Sequence, residues 1–292
     1  MDYTIKNSKI TITASDRGGE LTAIRCADGT DYLWTGSKKY WPGQAPHLFP
    51  FIGRLFETRY LYGGESYPLE IHGFLKDSVM TLDSSDDDFL SFSLEANETT
   101  LGQYPFNFGL KVCYRLVESS VKITFEVRNH GDKSMPFAIG GHPGFNVPLK
   151  KELSFEDYYL EFSEEAVPKR AQPTSSNLMN GIFVEFPLRG GRILELKHSL
   201  FDEDAIILKD AARSVTLKSD KDSRAVRVDY PDFKYLGFWH TVRSDAPFVC
   251  IEPWTALQGF ENTVQEIDKN EDMIVLKPQE VYKNEWTITI FE

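Results

Sequence analysis

The strongest constraint on the fold is a period of two in the hydrophobic pattern. In residues 120–129, Val121, Ile123, Phe125 and Val127 alternate with charged or hydroxyl side chains. Successive side chains of a β-strand point to opposite faces, so this spacing places one set in a core and the other in water. The same alternation recurs in residues 90–94, 110–116, 226–230 and 286–290. It predicts antiparallel strands that each have one solvated face.

Turn residues separate these segments, and helical spacing is scarce. Residues 60–62 and 65–67 flank Gly63 and Gly64, which predicts a tight hairpin because glycine tolerates positive φ. Only residues 262–267 could form one or two helical turns. Many short strands predict an all-β protein, and no linker-like stretch interrupts them. We therefore expect a single domain over residues 1–292, built as a large antiparallel β-sandwich.

Composition narrows the classes of partner. The 292 residues contain 32 Lys and Arg against 44 Asp and Glu, a net charge of −12 that disfavours nucleic acid and anionic membranes as partners. The N-terminus lacks a secretory signal, and no apolar run reaches the roughly 20 residues of a membrane span. The cysteines, Cys26, Cys113 and Cys250, are too few and too widely spaced for a disulfide framework. We expect a cytoplasmic protein whose oligomeric state the sequence leaves open.

Two cationic or titratable residues interrupt apolar segments in the first quarter of the chain. Arg54 follows the apolar residues 48–52 and Gly53, and its guanidinium must reach solvent, a carboxylate or a ligand oxygen. His72 precedes a glycine, which leaves room for a ligand but also suits a structural histidine. Each residue alone is compatible with either a structural or a binding role.

Two further residues carry a stronger functional signal. His142 lies among three glycines and a proline in residues 139–146, a backbone path that fixes the imidazole, whose ordinary pKa suits proton transfer. Glu252 follows the apolar residues 248–251, where a carboxylate is costly unless it is paired or used. Pro253 is expected to end that strand. Trp239, together with the tryptophan after Pro253, could form the apolar wall of a sugar site.

Other chemistries have less support. The histidines and Glu252 lack the His-Glu-x-x-His or His-x-His spacing of metal sites, so we expect no metal. The sequence also lacks a Gly-x-Ser-x-Gly elbow and a phosphate-binding loop of the Gly-x-x-x-x-Gly-Lys type. Serine hydrolases and nucleotide-binding enzymes are therefore disfavoured.

Taken together, the segments resemble the aldose 1-epimerase (galactose mutarotase) family, and most closely its LacX-like branch. The matching motifs occur in the family's order at residues 49–54, 72–74, 141–146 and 250–254, with closing strands at 276–288. The resemblance covers nearly the whole chain. It implies a large sandwich called a supersandwich, with a sugar-binding cleft. It also implies interconversion of the α and β anomers of a free aldose without a cofactor.

The resemblance also implies roles for individual residues. Glu252 corresponds to the general base that takes the proton from the anomeric hydroxyl, and His142 to the general acid that protonates the ring oxygen. Arg54 and His72 correspond to residues that hold sugar oxygens. The chemistry is consistent with these residue types, because opening a hemiacetal requires removal of one proton and delivery of another. We expect Arg54 to favour ionised Glu252, while His142 stays protonated.

A sugar-contacting aspartate of the family should precede a central strand. Both Asp202 and Asp204 are candidates, and we prefer Asp204 because it adjoins the apolar residues 205–208. The sequence departs from the family pattern beside His142 and in having Phe74 where a glycine is usual. These departures leave the acid and base in place and the identity of the sugar open.

Three functions are compatible with these residues. The first is mutarotation of a free hexose such as galactose or glucose. The second is epimerisation of a hexose 6-phosphate, for which Arg59, Lys76 and Arg243 could supply cations. The third is a sugar-binding or regulatory protein without catalysis. Retention of both Glu252 and His142 favours an enzyme of the isomerase class.

Overall fold

Short antiparallel strands account for almost all of the regular structure. The computed structural model describes residues 1–292. In chain order the strands are β1 (Asp2–Lys6), β2 (Ile10–Ser15), β3 (Leu21–Cys26), β4 (His47–Leu48), β5 (Arg59–Tyr62), β6 (Glu65–Pro68), β7 (Thr81–Ser85), β8 (Phe89–Glu95), β9 (Phe108–Val117), β10 (Ser120–Asn129), β11 (Met135–Phe137), β12 (Gly140–Gly141), β13 (Gly144–Asn146), β14 (Tyr159–Phe162), β15 (Lys169–Pro173), β16 (Met179–Glu185), β17 (Ile193–Glu195), β18 (Ile206–Lys209), β19 (Ser214–Ser219), β20 (Asp222–Asp229), β21 (Tyr235–Trp239), β22 (Phe248–Trp254), β23 (Ile274–Leu276) and β24 (Val281–Phe291).

Helical structure is confined to single turns. The one α-helix is Glu98–Leu101, and 3-10 turns occur at Phe56–Thr58, Leu75–Asp77, Phe155–Asp157, His198–Phe201 and Ile267–Lys269. The helical turns expected over residues 262–267 do not form there: residues 262–266 are irregular, and only Ile267 belongs to a helical turn, the 3-10 turn Ile267–Lys269. None of these segments has the length and hydrophobicity that a membrane-spanning helix needs.

Two large sheets form the sandwich. One has nine strands in the order β17-β14-β19-β20-β24-β10-β9-β8-β7, and the other has the path β16-β15-β18-β21-β22-β12-β4 with β13 also paired to β22. Three small sheets, β1-β2-β3, β5-β6 and β11-β23, complete the architecture. Every pair between named strands is antiparallel, which confirms the predicted fold class.

The alternating segments take the places that their pattern predicts. The run from Val121 to Val127 lies in β10, between β9 and β24, and its apolar side chains are buried while the intervening ones are partly exposed. The predicted hairpin is β5-β6, in which Gly63 and Gly64 have φ values of 59° and 84°. A register shift of one residue would reverse the buried and exposed faces, so burial fixes the pairing.

The core lies between the two large sheets. Phe238 of β21 packs edge-on against Phe162 of β14, with ring centroids 6.0 Å apart. A single cluster of 75 buried hydrophobic residues extends from Ile5 to Ile290 and includes side chains of both sheets. We propose on this basis that the chain is one domain.

Strand β22 presents two faces with different roles. Val249 and Ile251 point into the main core, while Cys250 and Glu252 lie on the opposite face. The strand continues through Pro253 to Trp254, one residue beyond the end that we expected. Trp254 still pairs with both neighbouring strands, with Gly140 of β12 and with Tyr235 of β21.

Glycines create the space around this face. A Cβ atom on Gly141 would lie 2.6 Å from Cζ2 of Trp286, an indole that is almost wholly buried in the core. Gly237 pairs with Glu252 across the β21-β22 ladder, and its missing side chain leaves room for the carboxyl group. Because Gly141 packs closely on Trp286, the backbone at the next residue, His142, lies tightly against the core.

We predict that Gly141→Ala destabilises the protein by about 1–3 kcal/mol, because the added methyl group overpacks a buried site. The matched control is Gly102→Ala, whose Cβ would meet its nearest neighbours at 3.6 Å, an ordinary contact. We expect the control to stay within about 1 kcal/mol of wild type. Urea unfolding of the three proteins measures both effects, and equal stabilities of the two variants would contradict the close-approach argument.

Candidate active site

One cavity gathers the six residues that the sequence analysis favours as site residues. It has a volume of about 350 Å³ and lies at the face of the eight-stranded sheet that carries Glu252. The predicted site residues that line it are Arg54, His72, His142, Asp204, Trp239 and Glu252. These residues come from distant parts of the chain, and the sheet brings them together.

The contact between Glu252 and His142 is the central feature of the cavity. Nε2 of His142 lies 3.2 Å from Oε2 of Glu252, without the alignment of a hydrogen bond. Glu252 is 1% exposed and His142 is 8% exposed. Neither carboxyl oxygen has a hydrogen-bond partner, and Nδ1 of His142 also has none. Buried polar atoms are rarely left in this state, so the arrangement indicates a site for a polar ligand.

Burial moves both pKa values towards the neutral forms. It raises the pKa of Glu252 well above its ordinary value, and the negative charge of Asp204 raises it further. Burial also lowers the pKa of His142 to about 4. At neutral pH the pair therefore holds its single proton on Glu252, and our expectation that His142 stays protonated is wrong for the protein without a sugar. Our expectation that Arg54 acts on Glu252 is wrong, because the charge that shifts this carboxyl belongs to Asp204.

The imidazole of His142 is fixed by its backbone and by two tryptophans. The segment runs from β12 to β13, both paired with β22, and the His142 N–H donates to the carbonyl oxygen of Pro46 at 3.0 Å. The ring lies 4.9 Å from the Trp41 ring and 5.8 Å from the Trp239 ring, measured between centroids. These aromatic walls keep the imidazole beside the carboxyl group.

His72 also lines the cavity, edge-on to His142 with ring centroids 5.3 Å apart. Its backbone has φ 67°, a left-handed conformation that is unusual for a histidine. Its Nδ1 accepts a hydrogen bond from the Gly53 N–H at 3.1 Å. Burial, followed by nearby positive charge, lowers its pKa well below the ordinary value. Neutral His72 therefore carries its proton on Nε2, which is available to donate to a ligand oxygen.

Arg54 and Asp204 add opposite charges to the lining. The Arg54 side chain is exposed and forms no ion pair. The backbone N–H of Arg54 donates to Oε1 of Gln258 at 3.3 Å. Asp204 precedes β18 with φ 79° and is partly buried. Asp202 is exposed and does not line the cavity. Of the two candidate aspartates, only Asp204 is placed to contact a ligand there.

The remaining histidines considered as metal ligands lie elsewhere. Nε2 of His47 is 2.6 Å from the hydroxyl oxygen of Tyr114, and Nε2 of His240 is 3.1 Å from Nδ1 of His198. Both His47 and His240 are fully buried. They are structural histidines that bind neighbouring side chains outside the cavity.

Several lining residues were not predicted as site residues. They are Trp41, Pro46, Pro173, Asn177, Met179 and Gln258. Three of them, Pro173, Asn177 and Met179, come from β15, β16 and the loop between them. No motif or interrupted apolar run marks that hairpin in the sequence, and only the sheet order β16-β15-β18-β21-β22 places it in the same sheet as the strand that carries Glu252.

Comparison with known proteins agrees with the resemblance that the sequence motifs indicate. The family described as Aldose 1-epimerase matches residues 1–289. The plasmid-encoded protein LacX of Lactococcus lactis subsp. lactis is 35% identical over 300 residues, covering 99% of each chain.

Two solved structures are similar over their whole length. A galactose mutarotase related enzyme from Lactobacillus acidophilus has a TM-score of 0.95 and 30% identity, covering 100% of this chain and 98% of its own. A galactose mutarotase-like protein from Lactobacillus casei ATCC 334 has a TM-score of 0.94 and 31% identity, covering 99% and 100%. These matches confirm the resemblance seen in the motifs, and the chain belongs to the aldose 1-epimerase family.

Proposed function

We propose that this protein is an aldose 1-epimerase that interconverts the α and β anomers of a free hexose such as galactose or glucose. The observation that carries the proposal is the contact between Glu252 and His142. The carboxyl group is 1% exposed, has no hydrogen-bond partner and lies 3.2 Å from the imidazole in a cavity of about 350 Å³. A buried pair of this kind is costly for folding unless a ligand uses it.

The reaction requires two proton transfers. A base takes the proton from the anomeric hydroxyl, the C1–O5 bond breaks as the C1 carbonyl forms, and an acid protonates the ring oxygen. After rotation about C1–C2, the same steps run in reverse on the other face of the carbonyl. We assign the base to Glu252 and the acid to His142, in line with the family's roles. Each positioned group contributes roughly 10²–10⁴-fold.

Sugar binding prepares the pair for this reaction. Burial favours the proton on Glu252, whereas the assigned roles need it on His142. The two states contain the same number of protons. Sugar hydroxyls that donate to the unpartnered oxygens of Glu252 stabilise its ionised form, because hydrogen bonds to a charged group favour that charge. The short contact with His142 is the path for the proton.

Other lining residues fit the task of holding a sugar. The Nε2–H of His72 and the guanidinium of Arg54 are donors for sugar oxygens, and Asp204 is an acceptor for a sugar hydroxyl. Trp239 offers an aromatic face to the C–H groups of the ring. The partner that we propose is accordingly a small-molecule sugar, held by polar groups on one side and an aromatic wall on the other.

The three cationic residues expected for a phosphorylated sugar do not lie together in the cavity. Of Arg59, Lys76 and Arg243, only Lys76 lines the cavity. Its ammonium group is bound to Asp77, and Nε of Arg59 donates to Glu57 at 2.9 Å. Two of the three cations expected for a phosphorylated sugar therefore lie outside the cavity, which supports a free hexose over a hexose 6-phosphate.

The proposed location is the cytoplasm. All three cysteines are free, which suits a reducing compartment.

We predict that Glu252→Gln and His142→Asn each reduce the acceleration of mutarotation by about 10²–10⁴-fold, because each removes the acid or the base. Polarimetry of freshly dissolved α-galactose and α-glucose measures the rate above the buffer blank. Glu285→Gln is the matched control, because Glu285 is half-exposed on the other sheet and pairs with Lys122.

The same assay separates the alternatives. Full activity in both site variants would contradict the proposed mechanism. Turnover of galactose 6-phosphate with no turnover of galactose would favour the phosphorylated substrate, and sugar binding without any turnover would favour a non-catalytic protein.

The pH profile of kcat/KM is predicted to be bell-shaped. Activity should rise as the pH passes about 4, the pKa of His142. Below that pH both His142 and Glu252 are protonated, so the pair contains no base. It should fall again when the remaining proton leaves Glu252, whose pKa is raised. Asp204→Asn removes a charge that raises the Glu252 pKa, so the alkaline limb should move to lower pH. An alkaline limb that stays in place, or moves upwards, would contradict this assignment.

A further inference from the structure

Cys250 is a buried thiol that the proposed reaction does not use. It lies two residues before Glu252 on β22, so both side chains occupy the same face of the strand. The Cys250 sulfur, a ring nitrogen of His142 and a carboxyl oxygen of Glu252 all lie within 4.8 Å of one another. The remaining cysteines, Cys26 and Cys113, belong to no such group.

These three donors are a ligand set for a thiophilic divalent cation. Zn²⁺ binds imidazole nitrogen, thiolate sulfur and carboxylate oxygen, whereas Mg²⁺ and Ca²⁺ prefer oxygen alone. Zinc bond lengths of about 2.0–2.3 Å place neighbouring tetrahedral ligands roughly 3.5 Å apart. The contact between His142 and Glu252 is already near that separation at 3.2 Å. The Cys250 sulfur lies within 4.8 Å of the other two ligand atoms and needs to approach them by roughly 1.3 Å at most.

An independent observation points to a ligand at this position. Both oxygens of Glu252 are unpartnered although the residue is 1% exposed. His142 and Glu252 line the cavity, which gives an ion a route to them. Three protein ligands, two of which line the cavity, leave a fourth coordination position for water, as in zinc sites that remain accessible.

Charge balance is favourable for such a complex. Zn²⁺ binds the deprotonated forms of its ligands and displaces their protons to solvent. A thiolate, a carboxylate and a neutral imidazole together carry two negative charges, which balance the two positive charges of the ion. The cation replaces the protons without leaving net charge in a buried site.

We propose that His142, Cys250 and Glu252 form a Zn²⁺ site that inhibits the protein when it is occupied. The bound ion holds the carboxylate and the imidazole together, so neither can exchange protons with a sugar. Inhibition rests on the proposed function, whereas binding of the ion does not. The usual metal spacings are absent from the sequence because β12 and β22 bring His142 to the other two ligands through the sheet.

The test is a zinc titration of the reduced, metal-free protein in competition with a chromophoric chelator. We expect one Zn²⁺ per chain for wild type and at least a tenfold weaker Kd for Cys250→Ser. Cys113→Ser is the matched control and should bind like wild type, because Cys113 lies on β9 in the other sheet. Circular dichroism and thermal unfolding establish that each variant is folded.

Cobalt provides a second measurement that does not depend on a variant. Co²⁺ bound to wild type should show the thiolate-to-cobalt charge-transfer absorption in the near ultraviolet, and Cys113→Ser should retain it. No uptake of Zn²⁺ by wild type, equal affinity in folded Cys250→Ser, or a cobalt spectrum without the thiolate band would overturn the site.

Polarimetry of the same samples separates the two proposals. Loss of mutarotation at one equivalent of Zn²⁺, restored by a chelator, supports inhibition, and full activity of the zinc-bound protein overturns it. Zinc binding by a protein that shows no mutarotation even when metal-free would sustain the metal site and contradict the proposed function.

Discussion

The contact between Glu252 and His142 places two ionisable groups side by side where solvent does not reach the carboxyl oxygens. Burial favours the neutral form of each, so the pair holds one proton that can lie on either partner. An isolated buried charge would be far more costly than this shared proton. The cavity, its aromatic walls and its polar lining are arranged around that pair. A ligand that supplies the missing hydrogen bonds can change which partner is charged.

The sandwich supports this arrangement through the two faces of β22. Val249 and Ile251 anchor the strand in the main core, and Glu252 projects from the other face. The close approach of Gly141 to Trp286 holds the neighbouring His142 backbone. Rigid packing of the core on one side therefore gives the proposed acid and base on the other side a fixed separation, as catalysis by positioned groups requires.

The strands were predictable because one face of each is buried, and the period of two follows directly from that burial. The signals at His142 and Glu252 were equally local, since glycine-rich backbone and an apolar run each made the polar residue conspicuous. What the sequence could not predict are consequences of sheet order. The pairing of the strands brings Cys250 beside His142 and places Met179 at the cavity. The spacing of residues within one segment does not indicate which strands pair. The charge that acts on Glu252 was misjudged for the same reason.

The most direct test of this account is a crystal structure of Glu252→Gln soaked with galactose, because the variant should bind the sugar without turning it over. The account predicts a galactose in the cavity with its anomeric hydroxyl within hydrogen-bond distance of the residue 252 side chain. Its ring oxygen should lie within the same reach of His142. A sugar bound outside the cavity, or bound inside it with C1 directed away from both residues, would contradict the assignment of this pair as the acid and base.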